Sequence, residues 1–364
     1  MLRIRHHQGA ADAPFVWRSA SEDFELSRAS SFPDLSEARR AVQRHTGSLL
    51  CAVVPFARDS RPWAWVGTPT PVRPAPPRVG RTTWALPSST IDGDYCDAVQ
   101  TAVARIESGG LEKVVLARHL DIAASSAWRA SEVVDALGRS ESSAVFSIRT
   151  DHEDIVGASP EVLVRHVGSD LLSVPLAGSR PRPADASACR ELIEELGNSA
   201  KDQSEHQIVV DAVRSVLGHH GPVEERRGIM TTSDSLHLMT ELRTTPMTAV
   251  RSLDVAMTLH PTPAICGAPM DDARRAINDL EDRPRGAFTG FVGWETAGGS
   301  GEWRLVIRSA SLRGRRATVS AGAGIVADSI PTEELLETRH KMLPMLRALG
   351  ALELSDPPHE GTRS

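Results

Sequence analysis

A chain of 364 residues, of which 40% are hydrophobic, can bury one large core or two modest ones, which excludes a wholly disordered protein. The formal net charge is −6 with acids and bases interspersed, so no basic stripe of the kind that binds nucleic acid is present. The longest apolar run, near residues 49–57, is too short to span a bilayer and no secretory signal opens the chain, so a cytoplasmic protein with no membrane partner is expected.

The first part of the chain has short elements and then a proline-rich segment. Residues 15–18 and 49–55 are strand-like, and residues 36–43 have helical spacing. The segment GTPTPVRPAPPRVG, residues 67–80, is typical of an extended linker. The sequence therefore predicts a variable N-terminal portion packed on a main body, followed by a disordered tail: residues 1–80, 81–354 and 355–364.

Strand signals dominate the main body. Four β-branched, partly alternating segments are predicted strands: residues 113–122, 144–149, 154–158 and 162–167. Residues 285–326 predict a meander whose short turns make neighbouring strands antiparallel.

Two helices are marked by their first turns. Ser199 and Asp202 resemble a capping box that opens one helix, and the last helix is predicted to begin near Pro331. The chain is thus predicted to be an α+β protein, with large antiparallel β-sheets forming a sandwich-like core and helices packed outside.

Each of these helices carries two acids three residues apart. Asp202 and Glu205 share one helical face, as do Glu334 and Glu337. Such pairs are commonly solvated charges in a first turn, where the helix dipole favours them. They also supply the hard oxygen ligands that Mg²⁺ prefers, so both interpretations stay open on the pattern alone.

Lysine is rare among the cations of this chain. Of 41 Lys and Arg residues only Lys113, Lys201 and Lys341 are lysines. Lys113 opens an apolar strand, where burial would lower its pKa toward that of a usable base, unless it faces solvent at the strand start. Lys341 is either an i,i+4 partner of Glu337 or a contact for a substrate carboxylate. Glu161 lies at a turn between strands, as a positioned acid or an ordinary turn residue.

Other candidate positions are glycine turns and isolated polar residues. Gly322 and Gly324 end a strand and permit close approach of a ligand to the backbone, or form a bulge. Gly178 and Ser179 form another glycine turn. Arg308 sits in a predicted strand, pointing into a cleft or into water, and His237 matches no metal-ligand spacing.

Nine segments follow one another in an order that resembles the chorismate-utilising enzymes, and among them the isochorismate synthases most closely. The resemblance covers about residues 112–341, and the segments are KVVLAR, SPEVLV, PLAGSRPR, SAKDQSEH, HLMT, LHPTPAICGAP, FTGFVGWE, GEWRLVIRSA and AGAGIVADSIPTEELLETRHK. The resemblance implies an anthranilate synthase component I-like fold and chorismate as the substrate.

The resemblance also implies roles for matching residues. Lys113 would be the general base that activates water, and Glu161 the general acid that protonates the departing hydroxyl. Magnesium would bind Glu205 and Glu337, with Asp202 and Glu334 as direct or water-mediated ligands. The remaining positions would hold the substrate: Gly178, Ser179, His237, Ala264, Arg308, Gly322, Gly324 and Lys341.

Two alternative reactions belong to the same family. Salicylate synthases share the lysine at position 113, and tend to carry threonine where this chain has Ala264. Aminating synthases usually have glutamine at position 113 and need a glutamine-hydrolysing subunit, so no such subunit is expected here. Phe288, where many relatives have tyrosine, also favours an isochorismate synthase, acting as a monomer or homodimer. A catalytically dead relative would have altered acid or base positions, and this chain has none.

Overall fold

The computed structural model describes residues 13–78, 80–87 and 89–354. These residues form eighteen strands and eight helices, which agrees with the predicted α+β class. The predicted disordered tail, residues 355–364, lies outside the described residues, as do residues 1–12.

The strands, numbered in chain order, are β1 Phe15–Arg18, β2 Asp23–Phe32, β3 Leu49–Val54, β4 Trp63–Thr70, β5 Thr83–Ala85, β6 Lys113–Ala124, β7 Ala144–Arg149, β8 Asp154–Ser159, β9 Val162–Val167, β10 Asp170–Val174, β11 Leu176–Pro181, β12 Glu224–Thr231, β13 Ser235–Thr244, β14 Gly267–Ala268, β15 Phe291–Thr296, β16 Gly301–Leu305, β17 Ser309–Arg313 and β18 Arg316–Ile325. The helices are α1 Leu35–Arg44, α2 Asp92–Glu107, α3 Ala130–Leu137, α4 Ala186–Asn198, α5 Ala200–Gly218, α6 Ser252–Leu259, α7 Met270–Leu280 and α8 Pro331–Leu349.

All the strands join in one antiparallel ladder. Its order runs β6, β18, β17, β8, β7, β1, β2, β4, β3, β15, β16, β9, β10 and β13. Strands β5 and β14 extend it beside β6, and β11 and β12 flank β13. The ladder curls so that β6 and β18 at one end face β11 and β13 at the other.

The N-terminal strands are part of this ladder. Strands β1 to β4 lie between β7 and β15, with Val16 opposite Ser147 and Cys51 opposite Trp294. The chain from 71 to 82 has no helix or strand among its described residues, whereas residues 67–70 of the predicted linker belong to β4. The division of the chain at residue 80 stays a prediction.

Helices cover the two halves of the curled sheet. Leu217 of α5 and Leu259 of α6 share a buried apolar cluster with β3, β15 and β16, and Met345 of α8 shares another with α3, β6 and β18. The Ser199 side chain accepts a hydrogen bond from the Asp202 backbone N–H at the start of α5, and Pro331 is the first residue of α8, as predicted. No described helix combines the length and apolarity that a bilayer crossing requires.

One predicted strand is interrupted. Arg308 was expected to lie within a strand of the 285–326 meander, but residues 306–308 leave the strand conformation and Arg308 has φ +51°. The break is needed because β16 pairs with β9 whereas β17 pairs with β8, so the chain changes neighbours there. Residues 160–161 make the matching break between β8 and β9. The Glu161 carbonyl accepts from Leu305 N (3.3 Å) and the Arg308 carbonyl accepts from Ala158 N (3.1 Å), so the two breaks lie side by side.

Candidate active site

One cavity lies between the two ends of the ladder, and we call it the Lys113 cavity. Twelve of the fourteen predicted site residues line it: Lys113, Glu161, Gly178, Ser179, Glu205, His237, Ala264, Arg308, Gly322, Gly324, Glu337 and Lys341. Asp202 and Glu334 line an adjoining outer cavity, which also touches Glu205 and Glu337. The fold therefore gathers residues from six helices and strands, the two strand breaks and the loop of Ala264 into one place.

Lys113 is buried at the start of β6, with 1% of its surface exposed. Its Nζ lies 2.8 Å from Oε1 of Glu205 on α5, so the cation has a carboxylate partner inside the protein. Gly324 on β18 lies beside this pair, and a methyl group there would come within 2.5 Å of Glu205 Oε1 and 3.0 Å of Lys113 Cε. Glycine at position 324 thus leaves room for the ion pair.

Glu161 and Arg308 enter the Lys113 cavity from the two strand breaks. Burial raises the pKa of Glu161 to about 7, although Lys113, Arg308 and Lys341 all act to lower it. Burial also lowers the pKa of Arg308 to about 10, against the opposing influence of Glu337 and Glu161. Near neutral pH, Glu161 therefore holds a proton for much of the time, as a general acid requires.

Glu337, Lys341, Ser179 and Gly322 form a polar cluster on one wall. Lys341 Nζ lies 2.5 Å from Glu337 Oε1 and donates to the Gly322 carbonyl at 2.9 Å, while Ser179 Oγ donates to Glu337 Oε1 at 3.1 Å. Burial opposes ionisation of Glu337, but Lys341, Ser179 and Arg308 together hold the pKa of this carboxyl below its usual value. Lys341 thus makes the predicted i,i+4 pair and also faces the cavity.

His237 of β13 is buried, and burial together with Arg308 and Lys341 lowers its pKa well below the usual value, so the ring is neutral. The ring is hydrogen-bonded to the Gly178 backbone, whereas its Nε2 has no hydrogen-bond partner among the described residues. A buried polar atom without a partner at a cavity wall is available to a ligand.

The outer cavity brings together all four predicted metal ligands, each near a cation. Asp202 Oδ2 accepts from Arg180 Nη2 at 2.7 Å, and Lys201 Nζ lies 3.9 Å from Glu334 Oε1. Burial and the neighbouring Glu337 carboxylate raise the pKa of Glu334 to about 7.

The donors around this outer cavity fit magnesium in chemical type. They are carboxylate oxygens, and Mg²⁺ needs only one or two carboxylates beside water and substrate oxygens. The mutual repulsion of Glu334 and Glu337 is the kind that a cation relieves. In the part of the chain that the structure describes, however, no three His, Cys, Asp or Glu side chains are grouped as a ready metal site.

Two supporting arginines were not singled out from the sequence. Arg180 directly follows the glycine turn and holds Asp202 in the outer cavity. Arg285 pairs with Glu281 and donates to the carbonyls of Val115 and Ile265, which ties β6 to the loop that carries Ala264. Arg180 and Asp202 are 22 residues apart, and the Val115 carbonyl that accepts from Arg285 is 170 residues away, so these contacts leave no pattern in the sequence.

Comparison with known proteins agrees with this architecture. The model of the family described as chorismate binding enzyme matches residues 74–350. Isochorismate synthase DhbC of Bacillus subtilis is 39% identical over 271 residues, which cover 71% of this chain and 68% of that protein. The vibriobactin-specific isochorismate synthase of Vibrio cholerae is 34% identical over 370 residues, covering 94% of this chain and 93% of that protein.

Solved structures have the same fold. DhbC from Bacillus anthracis superposes with a TM-score of 0.83 at 30% identity, covering 95% of this chain and 98% of that one. Anthranilate synthase component I from Streptococcus pneumoniae superposes with a TM-score of 0.70 at 18% identity, covering 95% of both chains, which shows the shared fold alone. The predicted anthranilate synthase component I-like fold is thus confirmed, and the chain belongs to the family of chorismate-binding enzymes.

Proposed function

We propose that this enzyme is a magnesium-dependent isochorismate synthase, which adds water at C2 of chorismate and expels the C4 hydroxyl. The observation that carries the proposal is the presence in one cavity of Lys113 and of Glu161, whose pKa burial raises to about 7, with cations suited to carboxylates around them. The similarity to isochorismate synthases supports the same reaction.

The first half of the reaction needs a base. In this proposal the Lys113 amine, in its uncharged form, takes a proton from the attacking water as its oxygen bonds to C2. The position of Lys113 in the cavity wall supports this role, because Glu205 beside it can accept a proton or stabilise the protonated amine.

The second half needs an acid, because hydroxide is a poor leaving group. Glu161 delivers its proton to the C4 oxygen, which departs as water while the ring double bonds shift. One water enters and one leaves, so the overall change is an isomerisation. The raised pKa of Glu161 supports this assignment because the carboxyl must still hold its proton near neutral pH.

The substrate carries two carboxylates, and the cavity offers groups for both. Arg308, Lys341 and the neutral His237 can bind them together with the backbone near Gly178 and Gly322. Glu205 and Glu337, with Asp202 and Glu334 nearby, would hold magnesium, which when bound supplies positive charge that anchors a substrate carboxylate.

A product analysis tests the reaction. Purified protein is incubated with chorismate and Mg²⁺, and the products are separated by liquid chromatography. Isochorismate without pyruvate is expected. Salicylate with one equivalent of pyruvate would make the enzyme a salicylate synthase, and an aminated product with ammonium salts would make it an aminating synthase; either result would overturn the proposal.

A further inference from the structure

A second cavity, of about 420 Å³, lies beyond Phe288 on the same face of the sheet, and we call it the His119 cavity. Phe288 lines both this cavity and the Lys113 cavity, so its ring is part of the partition between them. The volume is within the range of small-molecule sites. None of the roles proposed for catalysis uses this second cavity.

The floor of the His119 cavity is a polar patch of three neighbouring strands. His119 of β6 is opposite Ser320 of β18, which is opposite Ser309 of β17. Two residues further along, Asp121, Thr318 and Ser311 continue the three rows with the same orientation, and the Thr318 hydroxyl donates to Asp121 Oδ1. Hydroxyl groups therefore cover a surface that in most sheet interiors is apolar.

His119 is buried in this floor, with 3% of its surface exposed. Its Nδ1 lies 2.8 Å from Ser320 Oγ, while its Nε2 has no hydrogen-bond partner among the described residues. Burial, and then the neighbouring Arg283, lower the pKa of His119 to about 4, so the ring is neutral at physiological pH. When the Ser320 hydroxyl donates to Nδ1, Nε2 carries a hydrogen that only a ligand or solvent can accept.

The arginines around the cavity differ in their partners. Arg283 lies between Asp121 and Asp282, Arg285 pairs with Glu281 and Arg313 pairs with Glu153. Arg316 is exposed and makes no ion pair among the residues that the structure describes, so it is the lining cation available to a carboxylate.

The opposite wall of the His119 cavity is apolar. It includes the side chains of Leu86, Pro284, Ala287 and Phe288, and the Phe288 ring meets the His119 ring edge-on with centroids 6.2 Å apart. A flat ring can pack against such a wall, with its polar substituents directed to the hydroxyl-lined floor.

We propose that the His119 cavity is a second ligand site, which binds a small aromatic carboxylate separately from the catalytic cavity. The ring packs against Phe288 and Pro284, the carboxylate meets Arg316, and a polar substituent meets Nε2 of His119. The unpaired arginine, the unpartnered nitrogen and the apolar wall carry this proposal independently of the reaction proposed for the Lys113 cavity.

The probe is 4-fluorobenzoate, whose binding is measured by ¹⁹F NMR titration of the full chain. Arg316→Gln is expected to weaken binding about tenfold, because a hydrogen-bonded charge pair is lost. His119→Phe keeps a ring against Phe288 but removes Nε2. This variant should bind a fluorinated hydroxybenzoate more weakly, because the ligand hydroxyl loses the nitrogen that it contacts. Arg315→Gln, at the exposed neighbour that does not line the cavity, is the matched control and should bind as the unchanged protein does.

Arg308→Gln separates the two cavities, because Arg308 lines only the catalytic one. This variant should keep the binding that Arg316→Gln weakens. Loss of all binding in Arg308→Gln, or an unchanged affinity in Arg316→Gln, would overturn the second site. Inorganic phosphate that displaces the probe at equal concentration would overturn the aromatic part of the proposal. Arg316 is exposed, so its variant gives an answer even if His119→Phe fails to fold.

Discussion

Lys113 meets its carboxylate partner, Glu205, inside the protein, so its charge and its capacity to move a proton can be separated by mutation. Lys113→Arg keeps a cation beside Glu205 but cannot release a proton near neutral pH. We expect turnover of chorismate to fall by 10²- to 10⁴-fold, roughly the contribution of a general base, and a cooperative thermal melt checks that the variant is folded. Normal turnover in Lys113→Arg would show that Lys113 is not the general base.

Glu161 gives a prediction about stability as well as turnover. Its pKa is raised in the folded state, from 4.5 to about 7, so the folded protein holds this proton more tightly than the unfolded chain. The contribution of Glu161 to the free energy of unfolding is fully present below pH 4.5 and is lost as the pH rises to about 7. The loss is roughly 3 kcal/mol, from 1.36 kcal/mol for each pKa unit.

The measurement compares urea unfolding of the unchanged protein and Glu161→Gln at pH 5 and pH 8, without substrate. Glutamine cannot ionise, so the variant should gain stability relative to the unchanged protein at pH 8. If the two proteins differed in free energy of unfolding by the same amount at both pH values, the pKa of Glu161 would not be raised in the folded state.

At the scale of single residues, the motif order predicted twelve positions that share one cavity, but their partners were not predictable. Glu205 was assigned to a metal, and in the structure it holds Lys113. The sequence interval between residues 113 and 205 contains no pattern that pairs them, because the pair exists only once the curled sheet brings α5, which packs on β11 and β13, close to the start of β6. The metal and catalytic roles stay predictions.

Among the elements, β18 leaves room for the Lys113–Glu205 ion pair because Gly324 has no side chain. Gly324→Ala would place a methyl group 2.5 Å from Glu205 Oε1 and 3.0 Å from Lys113 Cε, so the ion pair must shift. We expect kcat/KM to fall by at least tenfold while the fold is retained, since displacements of about 1 Å at reacting groups are costly. Gly228→Ala on β12 is the control, because its nearest neighbour is a flexible methionine end at 3.4 Å. Equal activity of both variants would contradict the prediction.

Helix α8 supplies Glu337, whose proposed role is metal binding. Glu337→Gln removes one charged oxygen donor and should weaken Mg²⁺ binding about tenfold or more in isothermal titration calorimetry. Glu195→Gln, at an exposed position of α4, should bind Mg²⁺ as the unchanged protein does. Equal magnesium affinity in the two variants would take Glu337 out of the metal site.

Elements with a strong local pattern were predicted well. The predicted strands at residues 144–149 and 162–167 coincide with β7 and β9, and the helix at residues 36–43 lies within α1. The break at residues 306–308 was missed because the segment VIRSA alternates like a strand. Only the change of neighbour from β9 to β8, a property of the whole sheet, makes the chain turn there.

The whole molecule depends on strands from the first seventy residues. Strands β1 to β4 join β7 to β15, so a chain of residues 81–364 loses the middle of its ladder. We expect this truncated chain to be unfolded or aggregated. Circular dichroism and a thermal melt would check this, and a cooperative melt of the truncated chain would instead support a separable N-terminal portion.

The ladder order could not be predicted from the sequence, because strands pair with partners that lie far away along the chain. Local alternation indicates that a strand exists but not its distant neighbour, and β3 finds β15 about 240 residues further along the chain. The α+β class and the antiparallel arrangement were predictable, whereas the place of β1 to β4 inside the sheet was not.

The outer strand at one end of the ladder, β12, begins with Glu224, Glu225, Arg226 and Arg227, all exposed. Among the described strands it pairs only with β13, so its other edge has free backbone groups. A strand added there would have to strip water from these four charged side chains, and a second copy added parallel and in register would also stack like charges on each other. We therefore expect this edge to resist fibril growth, and the protein to tolerate high concentrations during folding in spite of its long sheet.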